Sequence, residues 1–396
     1  MPPLEGRRIW LVGIGGAGLS AYALLARAWG AEVGGWDRNE TPYLAAVRSA
    51  GIEVRISARP DVPEGYEVYV SSAYPGVQGR PRFELLAELV SLRPTIVVAG
   101  AHGKTTTTAM VAFVLRETGR DPSWLVGAEV LQLGANAGAG QGWLVVEGDE
   151  SDRSVEALRP EMAVVTNVDL DHHATFASRA EVEALFERWL GSVPVVVHGW
   201  QLEPLDAELL VPGEHNRRNA SAALAALRLA GVGDDEALAA LRRFEGVARR
   251  FQLVGESDGV AVYDDYAHNP AKVAAALATA RERARGKVLA LFQPHLYSRT
   301  RHLRVELAGA LRGADVVVVT DVYAAREQPV EGVTGKLVVD ELARAGRDVE
   351  VGWTPRLEDG ARFVARRARS GDVVVILGAG DVDRAGPLIL QALSRG

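Results

Sequence analysis

The sequence predicts an α/β protein built from three consecutive domains. Its 396 residues allow two or three domains at roughly 150 residues each. Apolar strands alternate with amphipathic helices, a succession typical of parallel sheets. The pattern restarts near Pro94 and again after Gly246. We therefore expect domains at 1–93, 94–246 and 247–396, the first and third Rossmann-like and the second built around a phosphate-binding loop.

The predicted elements follow from hydrophobic periodicity. Helices are expected over Leu19–Trp29, from about Lys104 onward and over Asn219–Leu229. The predicted strands are Arg8–Val12, Glu32–Trp36, Val68–Ser71, Thr95–Ala99, Trp143–Val146, Met162–Thr166, Val260–Tyr263, Val288–Phe292, Val316–Thr320 and Val373–Leu377.

Composition excludes several classes of protein. Hydrophobic residues make up 48% of the chain and charged residues 24%, as in ordinary globular proteins. The absence of cysteine excludes disulfides, cysteine-ligated metals and thiol nucleophiles. A net charge of −7 argues against nucleic acid or an anionic membrane as partner. No uninterrupted apolar run reaches bilayer length, so we expect a cytoplasmic protein without membrane insertion.

The first glycine-rich turn fits the pattern G-x-G-x-x-G. It runs from Gly13 to Gly18 between a predicted strand and a predicted helix, and Asp37 follows 19 residues after its last glycine. Backbone amides at a helix N-terminus bind phosphate, and such an aspartate can accept a hydrogen bond from a ribose hydroxyl. The turn therefore predicts a nucleotide diphosphate ligand, with NAD as the default choice, or a tight turn without a ligand.

The second glycine-rich turn predicts an ATP site. The segment Ala99-Gly100-Ala101-His102-Gly103-Lys104-Thr105-Thr106 has the G-K-T ending of a phosphate loop, although Val98 replaces its first glycine. The chain has only four lysines, and Lys104 is the only one in the first 271 residues. An ammonium can reach between phosphate oxygens, and the Thr105 hydroxyl can bind Mg²⁺. The candidate nucleotide-binding residues of this loop are Gly100, His102, Gly103, Lys104, Thr105 and Thr106.

Acidic residues and histidines follow the next two strands. One strand ends in Glu147-Gly148-Asp149-Glu150-Ser151-Asp152, and the next is followed by 167–173, which contains Asp171, His172 and His173. Because ligands bind at the carboxyl ends of parallel strands, these residues are placed to hold Mg²⁺ beside the phosphate loop. A solvated acidic loop is the alternative interpretation.

The last third of the chain carries three further polar segments. They are Arg249-Arg250-Phe251-Gln252, 264–270 with the sequence Asp-Asp-Tyr-Ala-His-Asn-Pro, and 293–301, which begins Gln-Pro-His. The last two follow predicted strands and should share one edge of the third sheet. Paired arginines suit phosphate or carboxylate recognition, although surface salt bridges would also account for them.

Taken in order, these motifs resemble those of the Mur ligases, over residues 13 to about 301. The resemblance also includes His215-Asn216-Arg217-Arg218-Asn219-Ala220. It implies a UDP-sugar-binding first domain, a shortened ATP-binding second domain and an amino-acid-binding third domain. It further implies that ATP phosphorylates the lactyl carboxylate of UDP-N-acetylmuramate and that an amino acid, L-alanine in the branch resembled, attacks the acyl phosphate.

The resemblance also assigns roles to single residues. Lys104, His172 and Arg250 are the implied catalytic residues, with Arg250 near the γ-phosphate. Thr105, Glu147 and His172 are the implied Mg²⁺ residues, Asn219 an adenine contact and Asp265 a ribose contact. The implied substrate contacts are Gly15, Gly16, Asp37 and Ser72 for the UDP-sugar, and Tyr266, His268 and Arg299 for the amino acid.

Three departures from the family pattern keep alternatives open. Leu296 replaces the arginine of the family's Gln-Pro-His-Arg, so Arg299 or Arg301 would have to take over its contact. The stretch from about His198 to Val211 is short. No lysine lies between Lys104 and Lys272, which favours the alanine-adding branch over sister ligases. A tripeptide-adding recycling ligase and a non-catalytic UDP-sugar- and ATP-binding protein remain alternatives, and no oligomeric state is predicted.

Overall fold

A computed structural model describes residues 2–170, 175–325, 327–346 and 348–395. The chain divides into two compact units, Met1–Ala248 and Arg249–Gly396. Within the described ranges, no helix combines the length and the apolar character needed to cross a membrane.

The first sheet of the first unit is parallel throughout, with the strand order β3-β2-β1-β4-β5. Strand β1 lies at its centre, and four of its five residues are buried. The elements are β1 (Arg8–Val12), α1 (Ala17–Ala28), β2 (Glu32–Asp37), α2 (Tyr43–Ser49), β3 (Glu53–Ile56), β4 (Glu67–Val70), β5 (Arg80–Pro81) and α3 (Arg82–Ser91).

The second sheet has the order β11-β10-β6-β9-β7-β8 and is parallel except for the β7–β8 pair. Its elements are β6 (Thr95–Ala99), α4 (Lys104–Glu117), β7 (Ser123–Val130), β8 (Ala135–Gly138), β9 (Leu144–Glu147), a 3₁₀ turn (Ser154–Ala157), β10 (Met162–Val165), α5 (Arg179–Leu190), β11 (Val195–His198), a second 3₁₀ turn (Gly199–Gln201), α6 (Glu214–Leu229) and α7 (Asp234–Leu241). All five residues of β6 are buried, as expected of a parallel strand covered by helices on both faces.

The two sheets of the first unit are packed together. Helix α1 lies against β7 and β8, and Asn136 Nδ2 on β8 donates to the carbonyl oxygen of Ala17 at 3.0 Å. Apolar residues of both sheets belong to one core cluster. The predicted boundary at residue 93 therefore falls inside this unit, in the loop between α3 and β6.

The second unit contains the third sheet, in the order β12-β13-β17-β14-β15-β16, with only β12 antiparallel to its neighbour. Two apolar clusters cover its opposite faces. The elements are β12 (Gln252–Ser257), β13 (Val260–Asp265), α8 (Pro270–Arg283), β14 (Val288–Phe292), α9 (Tyr297–Leu311), β15 (Val316–Val319), α10 (Lys336–Arg344), β16 (Glu350–Trp353), α11 (Leu357–Arg367), β17 (Val373–Leu377), a 3₁₀ turn (Asp381–Arg384) and α12 (Ala385–Leu393).

The predicted fold class is confirmed, since three mostly parallel sheets are layered with helices. The strands Arg8–Val12, Thr95–Ala99, Val288–Phe292 and Val373–Leu377 have the predicted bounds. The strands that were not predicted are β3, β5, β7, β8, β11, β12 and β16. In β8, Ala-Asn-Ala-Gly has no apolar alternation, and β12 is mostly half-exposed. Strands β8 and β12 are antiparallel edge strands, whose weak apolar patterns sequence periodicity does not detect.

Candidate active site

The phosphate-binding loop lies between β6 and α4, as predicted. Gly100 and Gly103 have φ angles of +127° and +79°, a region that favours glycine. The Lys104 ammonium donates to the carbonyl oxygen of Gly100 at 2.7 Å and to Glu150 Oε2 at 2.8 Å. Burial works against a charged Lys104, but the Glu150 and Asp149 carboxylates outweigh it and raise the pKa of Lys104. The loop thus keeps a positive charge at its centre.

Residues at the end of β10 hold the loop in place, and sequence reasoning missed them. Asn167 Oδ1 accepts from the backbone N–H of His102 at 3.0 Å, and Asn167 Nδ2 donates back to the His102 carbonyl at 2.9 Å. The Thr166 hydroxyl donates to the same carbonyl at 2.5 Å. Their position directly after β10, a strand that pairs with β6, is the feature that could have identified them as neighbours of the loop.

Asn219, the implied adenine contact, lies directly against this loop. It is 8% exposed on α6, and a Cβ built on Gly103 would lie 2.3 Å from its Oδ1. Its Nδ2 donates to Asn216 Oδ1 at 3.3 Å. The amide side chain therefore borders the nucleotide loop, and Gly103 has no room for a larger residue.

Two of the three implied Mg²⁺ residues are neighbours. The Thr105 hydroxyl donates to Glu147 Oε2 at 3.1 Å, and Glu147 Oε1 accepts from the Gly127 N–H at 2.5 Å. A hydroxyl and a carboxylate are the hard oxygen ligands that Mg²⁺ prefers, so these residues fit the ion. His172 lies outside the described residues. Within the described ranges, no three His, Cys, Asp or Glu side chains form a metal-binding group.

In the first glycine-rich turn, Asp37 binds the turn itself. Its Oδ2 accepts from the Gly15 N–H at 2.8 Å and its Oδ1 from the Tyr74 hydroxyl at 2.9 Å. Asp37 is 6% exposed. Gly16 immediately precedes α1, and Ser72 is exposed in the turn after β4. The carboxylate therefore fixes the conformation of the turn, a role that the ribose assignment did not anticipate.

A cavity of about 170 Å³ lies between the glycine-turn helix α1 and the phosphate loop. Gly18 and Arg82 line it together with Lys104 and Glu147. Sequence reasoning did not select Arg82, whose Nη2 lies 3.3 Å from an Asp149 oxygen and 3.1 Å from an Asp152 oxygen. Arg82 is therefore a second cation, besides Lys104, in the lining of the cavity between the two glycine-rich turns.

In the second unit, a row of aromatic rings crosses the carboxyl ends of the strands. The ring centroids of Tyr266 and His268 are 5.2 Å apart, those of His268 and His295 5.7 Å, and those of His295 and Tyr323 5.9 Å. Arg299 Nη1 lies 3.4 Å from His295 Nδ1. The structure therefore brings together the three residues implied for the amino acid, and adds His295 and Tyr323.

His268 is held in its neutral form. Burial, together with the positive charges of Arg299 and Lys272, lowers its pKa to about 3. Its Nδ1 lies 2.7 Å from the carbonyl oxygen of Tyr266. Because a carbonyl oxygen only accepts, Nδ1 carries the proton and Nε2 is left as an acceptor. Such a ring suits the binding of an N–H group rather than proton abstraction.

Arg250 and Asp265 lie at the beginning of the same unit. Both Asp265 oxygens accept backbone N–H groups, from Phe251 and Ala267, at 2.8 Å. Burial raises the pKa of Asp265, against the opposing charge of Arg250. The Arg250 guanidinium carbon lies 5.3 Å from the centroid of the Tyr266 ring. The implied ribose and γ-phosphate contacts are thus neighbours.

Leu296 is unsuited to the contact made by the family arginine. Its side chain is 8% exposed and its φ is +67°. Its backbone N–H donates to the Tyr323 carbonyl at 2.9 Å, and its carbonyl accepts from the Thr300 hydroxyl at 2.7 Å. Arg299, one turn further along at the start of α9, is the arginine that lies beside His295.

Comparison with known proteins places these features in one family. Three family profiles match the chain in order: the Mur ligase family catalytic domain over residues 8–93, the Mur ligase middle domain over 98–194, and the Mur ligase glutamate ligase domain over 249–380.

Two curated relatives are similar over nearly the whole chain. The UDP-N-acetylmuramate–L-alanine ligase of Rubrobacter xylanophilus is 38% identical over 447 residues, covering 98% of this chain and 100% of the relative. The corresponding ligase of Streptomyces coelicolor is 39% identical, with 97% of each chain covered. Because 447 exceeds the 396 residues of this chain, the alignment includes residues of the relative that this chain lacks.

Solved structures agree with these relatives. The UDP-N-acetylmuramate–alanine ligase of Thermotoga maritima superposes with a TM-score of 0.81 at 27% identity, covering 97% of this chain and 98% of that one. A murein peptide ligase of Psychrobacter arcticus shares the fold, with a TM-score of 0.67 at 22% identity and 99% of each chain covered. The chain therefore belongs to the Mur ligase family.

Proposed function

We propose that the chain is an ATP-dependent ligase that joins L-alanine to the lactyl carboxylate of UDP-N-acetylmuramate. The observation that carries the proposal is the Lys104 ammonium, held 2.7 Å from the Gly100 carbonyl inside a phosphate loop. The high similarity to alanine-adding ligases over the whole chain selects the substrates. The product is a precursor of peptidoglycan.

The reaction requires activation of a poor electrophile. A lactyl carboxylate oxygen attacks the γ-phosphorus of ATP, and the bond to the β,γ-bridging oxygen breaks to release ADP. The amine of alanine then attacks the carbonyl carbon of the acyl phosphate, losing a proton, and inorganic phosphate leaves to give the amide. Lys104 lies where it can neutralise charge on the transferred phosphoryl group.

Mg²⁺ is part of the proposal. Thr105 and Glu147 would hold it, with His172 as a third candidate, and bound Mg²⁺ would offset negative charge on the phosphate oxygens. The hydrogen bond from the Thr105 hydroxyl to Glu147 at 3.1 Å supports this assignment.

The remaining contacts are proposed by their places in the fold. Gly100, His102, Gly103, Thr106 and Asn219 would contact ATP from the first unit, and Arg250 and Asp265 from the second. We propose that Gly15, Gly16, Asp37 and Ser72 serve the UDP-sugar and that Tyr266, His268 and Arg299 serve alanine. The domains 1–93, 94–246 and 247–396 would then bind UDP-sugar, ATP and amino acid respectively.

The site of action proposed is the cytoplasm, where ATP and UDP-sugars are available.

Phosphate release tests the proposal directly. The purified chain should release phosphate from ATP only when both UDP-N-acetylmuramate and L-alanine are present. Binding of the ligands without turnover would instead indicate a non-catalytic binding protein. A comparison of alanine, glycine, serine and a cell-wall tripeptide as acceptors separates the alanine-adding ligase from the tripeptide-adding ligase.

A further inference from the structure

Arg249 is anchored by three acceptors at one edge of the third sheet. Its Nε donates to Asp264 Oδ2 at 3.1 Å, its Nη1 to the Gly380 carbonyl at 2.9 Å and its Nη2 to the Gly378 carbonyl at 2.8 Å. Asp264 lies on β13, whereas the two glycines follow β17. The guanidinium therefore ties the first residue of the second unit to two neighbouring strands.

Asp264 is an unusual partner for this arginine. It is 4% exposed, and its Oδ1 has no hydrogen-bond partner within the part of the chain that the structure describes. The charged groups that act on it are Arg249, Asp383 of the 3₁₀ turn and Asp265 of its own strand. Burial, only partly opposed by the charge of Arg249, raises the pKa of Asp264 to about 7. Its ionisation is therefore incomplete at neutral pH.

The chain on either side of Arg250 is held in a conformation that ordinary residues avoid. Arg249 and Phe251 have φ angles of +59° and +48°, a region rarely adopted by residues other than glycine. The Arg249 carbonyl accepts from the Tyr266 N–H at 2.8 Å, and the Phe251 N–H donates to Asp265 at 2.8 Å. Strain of this kind persists only where the surroundings impose it, and it is common at functional sites.

A purely structural role explains the ion pair poorly. An ion pair whose carboxylate is buried with one unsatisfied oxygen contributes little stability, because the cost of removing that charge from water offsets the attraction. A neutral pair of similar shape would fill the same space. What the charged pair provides is a fixed direction for the backbone that leads into Arg250.

We propose that Arg249 and Asp264 form a clamp that positions Arg250 for phosphoryl transfer. The clamp rests on the proposed function, in which Arg250 acts near the γ-phosphate. Arg249 and Asp264 are positioning residues, since they act through Arg250. Protonation of Asp264 on its open Oδ1 removes the charge that attracts Arg249 and loosens the clamp.

The experiment begins with the wild-type chain and Arg250→Ala. Phosphate release that depends on both substrates establishes the ligase, and its absence would refute the proposed function itself. Arg250→Ala should then lower kcat strongly. Normal turnover of Arg250→Ala would also overturn the clamp, because Arg250, the residue that the clamp positions, would then have no role in phosphoryl transfer.

Asp264→Asn tests the clamp. We expect kcat to fall between about 10- and 100-fold, as for a small displacement of a catalytic group, with KM for ATP changed less than about threefold. The wild-type kcat should rise with pH around a midpoint near 7, and this rise should be absent from Asp264→Asn. Wild-type kcat and an unchanged pH profile in Asp264→Asn would overturn the clamp.

A second variant covers the case in which Asp264→Asn fails to fold. Arg249→Lys keeps the positive charge but cannot make the three guanidinium contacts. It should lose kcat to a similar extent, and its kcat should rise less with pH than that of the wild type, because Asp264 acts on Arg250 only through the guanidinium of Arg249. A normal kcat in Arg249→Lys would count against the clamp.

The matched control is Asp315→Asn in the same unit. Asp315 pairs with Arg281 at 2.6 Å but precedes β15, at the opposite ends of the strands. We expect its kcat and pH profile to equal those of the wild type. A loss in the control equal to that in Asp264→Asn would assign the effect to general weakening of the unit and overturn the clamp.

Discussion

A chain rich in arginine has one lysine in its phosphate loop, and the chemistry of the two cations explains the difference. All but four of the 44 basic residues are arginine. An ammonium is compact and can enter between phosphate oxygens, whereas a guanidinium is a broad planar fork. Lys104 is half-buried, and its compact ammonium donates to both the Gly100 carbonyl and Glu150.

Replacement of this residue should separate catalysis from substrate binding. We expect Lys104→Ala to lower turnover by at least about 10²-fold, with little loss of affinity for the UDP-sugar. Steady-state phosphate release and calorimetric titration with UDP-N-acetylmuramate measure the two quantities. Lys336→Ala, at an exposed ion pair on α10, is the control. Near-normal turnover of Lys104→Ala would contradict the proposed mechanism.

His268 should not titrate in the physiological range. Its burial and the nearby cations Arg299 and Lys272 place its pKa at about 3. The ring should therefore stay neutral from about pH 5 to 9, with the proton on Nδ1. Nuclear magnetic resonance of the histidine ring nitrogens across this pH range would measure the protonation state of His268. Its signals would be assigned by their absence from the spectrum of His268→Gln. A titration midpoint near 6.5, the ordinary value, would contradict it.

At the scale of elements, two loops are shaped by residues from neighbouring strands. The phosphate loop is bound through His102 by Thr166 and Asn167 after β10. The first glycine turn is bound by Asp37 at the end of β2. Strand pairing in parallel sheets brings such residues to one edge. The conformation of each loop is therefore set by a neighbouring strand as well as by its own glycines.

Substitution by alanine should affect the kinetic constants differently at two glycines with positive φ, Gly100 and Gly119. A Cβ on Gly100 would lie 2.4 Å from the Thr166 hydroxyl and 2.7 Å from the Asn167 carbonyl. Gly100→Ala should therefore displace the loop, raising KM for ATP and lowering kcat by about tenfold or more.

Gly119 supplies the control for this change. Its φ is +73°, and nothing lies within 4 Å of a Cβ built there. Gly119→Ala should cost about 1–2 kcal/mol of stability from backbone strain alone and leave the kinetic constants unchanged. Equal kinetic losses in the two variants would show that backbone conformation, rather than contact with Thr166 and Asn167, is responsible.

At the scale of the whole molecule, the buried carboxyl of Asp264 opposes stability while serving the proposed clamp. Its pKa is raised from 3.8 to about 7, so between these pH values the folded chain binds a proton that the unfolded chain lacks. Stability from this group is present at acidic pH and is lost as the pH rises through 7. The ionised form that would favour catalysis is the form that weakens the fold.

Thermal unfolding across pH would reveal this trade-off. The difference in Tm between Asp264→Asn and wild type should become more positive from pH 5 to pH 8, because the asparagine cannot ionise. His268 contributes in the opposite direction, losing stability as the pH falls below 6.5, but it does so equally in both proteins. A difference in Tm that is constant across this range would contradict the buried, raised pKa.

Apolar segments and glycine turns predicted the central parallel strands and the positions of both loops, but the parallel strands β3, β5, β7, β11 and β16 were not predicted. Buried runs such as Thr95–Ala99 can satisfy their backbone only in the middle of a sheet, and G-K-T after such a strand predicts a phosphate loop. Strand β8 was missed because Ala135–Gly138 has no apolar period. Arg82 and Asn167 were missed because arginine and asparagine are common on any surface.

The α/β class and the chemistry of the phosphate loop thus follow from the order of residues alone, because both depend on local pattern and residue type. The hydrogen-bond partners, in contrast, are known only from the folded chain: Glu150 for Lys104, Asp37 for Gly15, and Asp264 for Arg249. These pairs join residues distant in sequence, whose proximity is set by strand order and burial. The pKa of Asp264 likewise depends on the surrounding fold, since removal from water is a property of the folded chain.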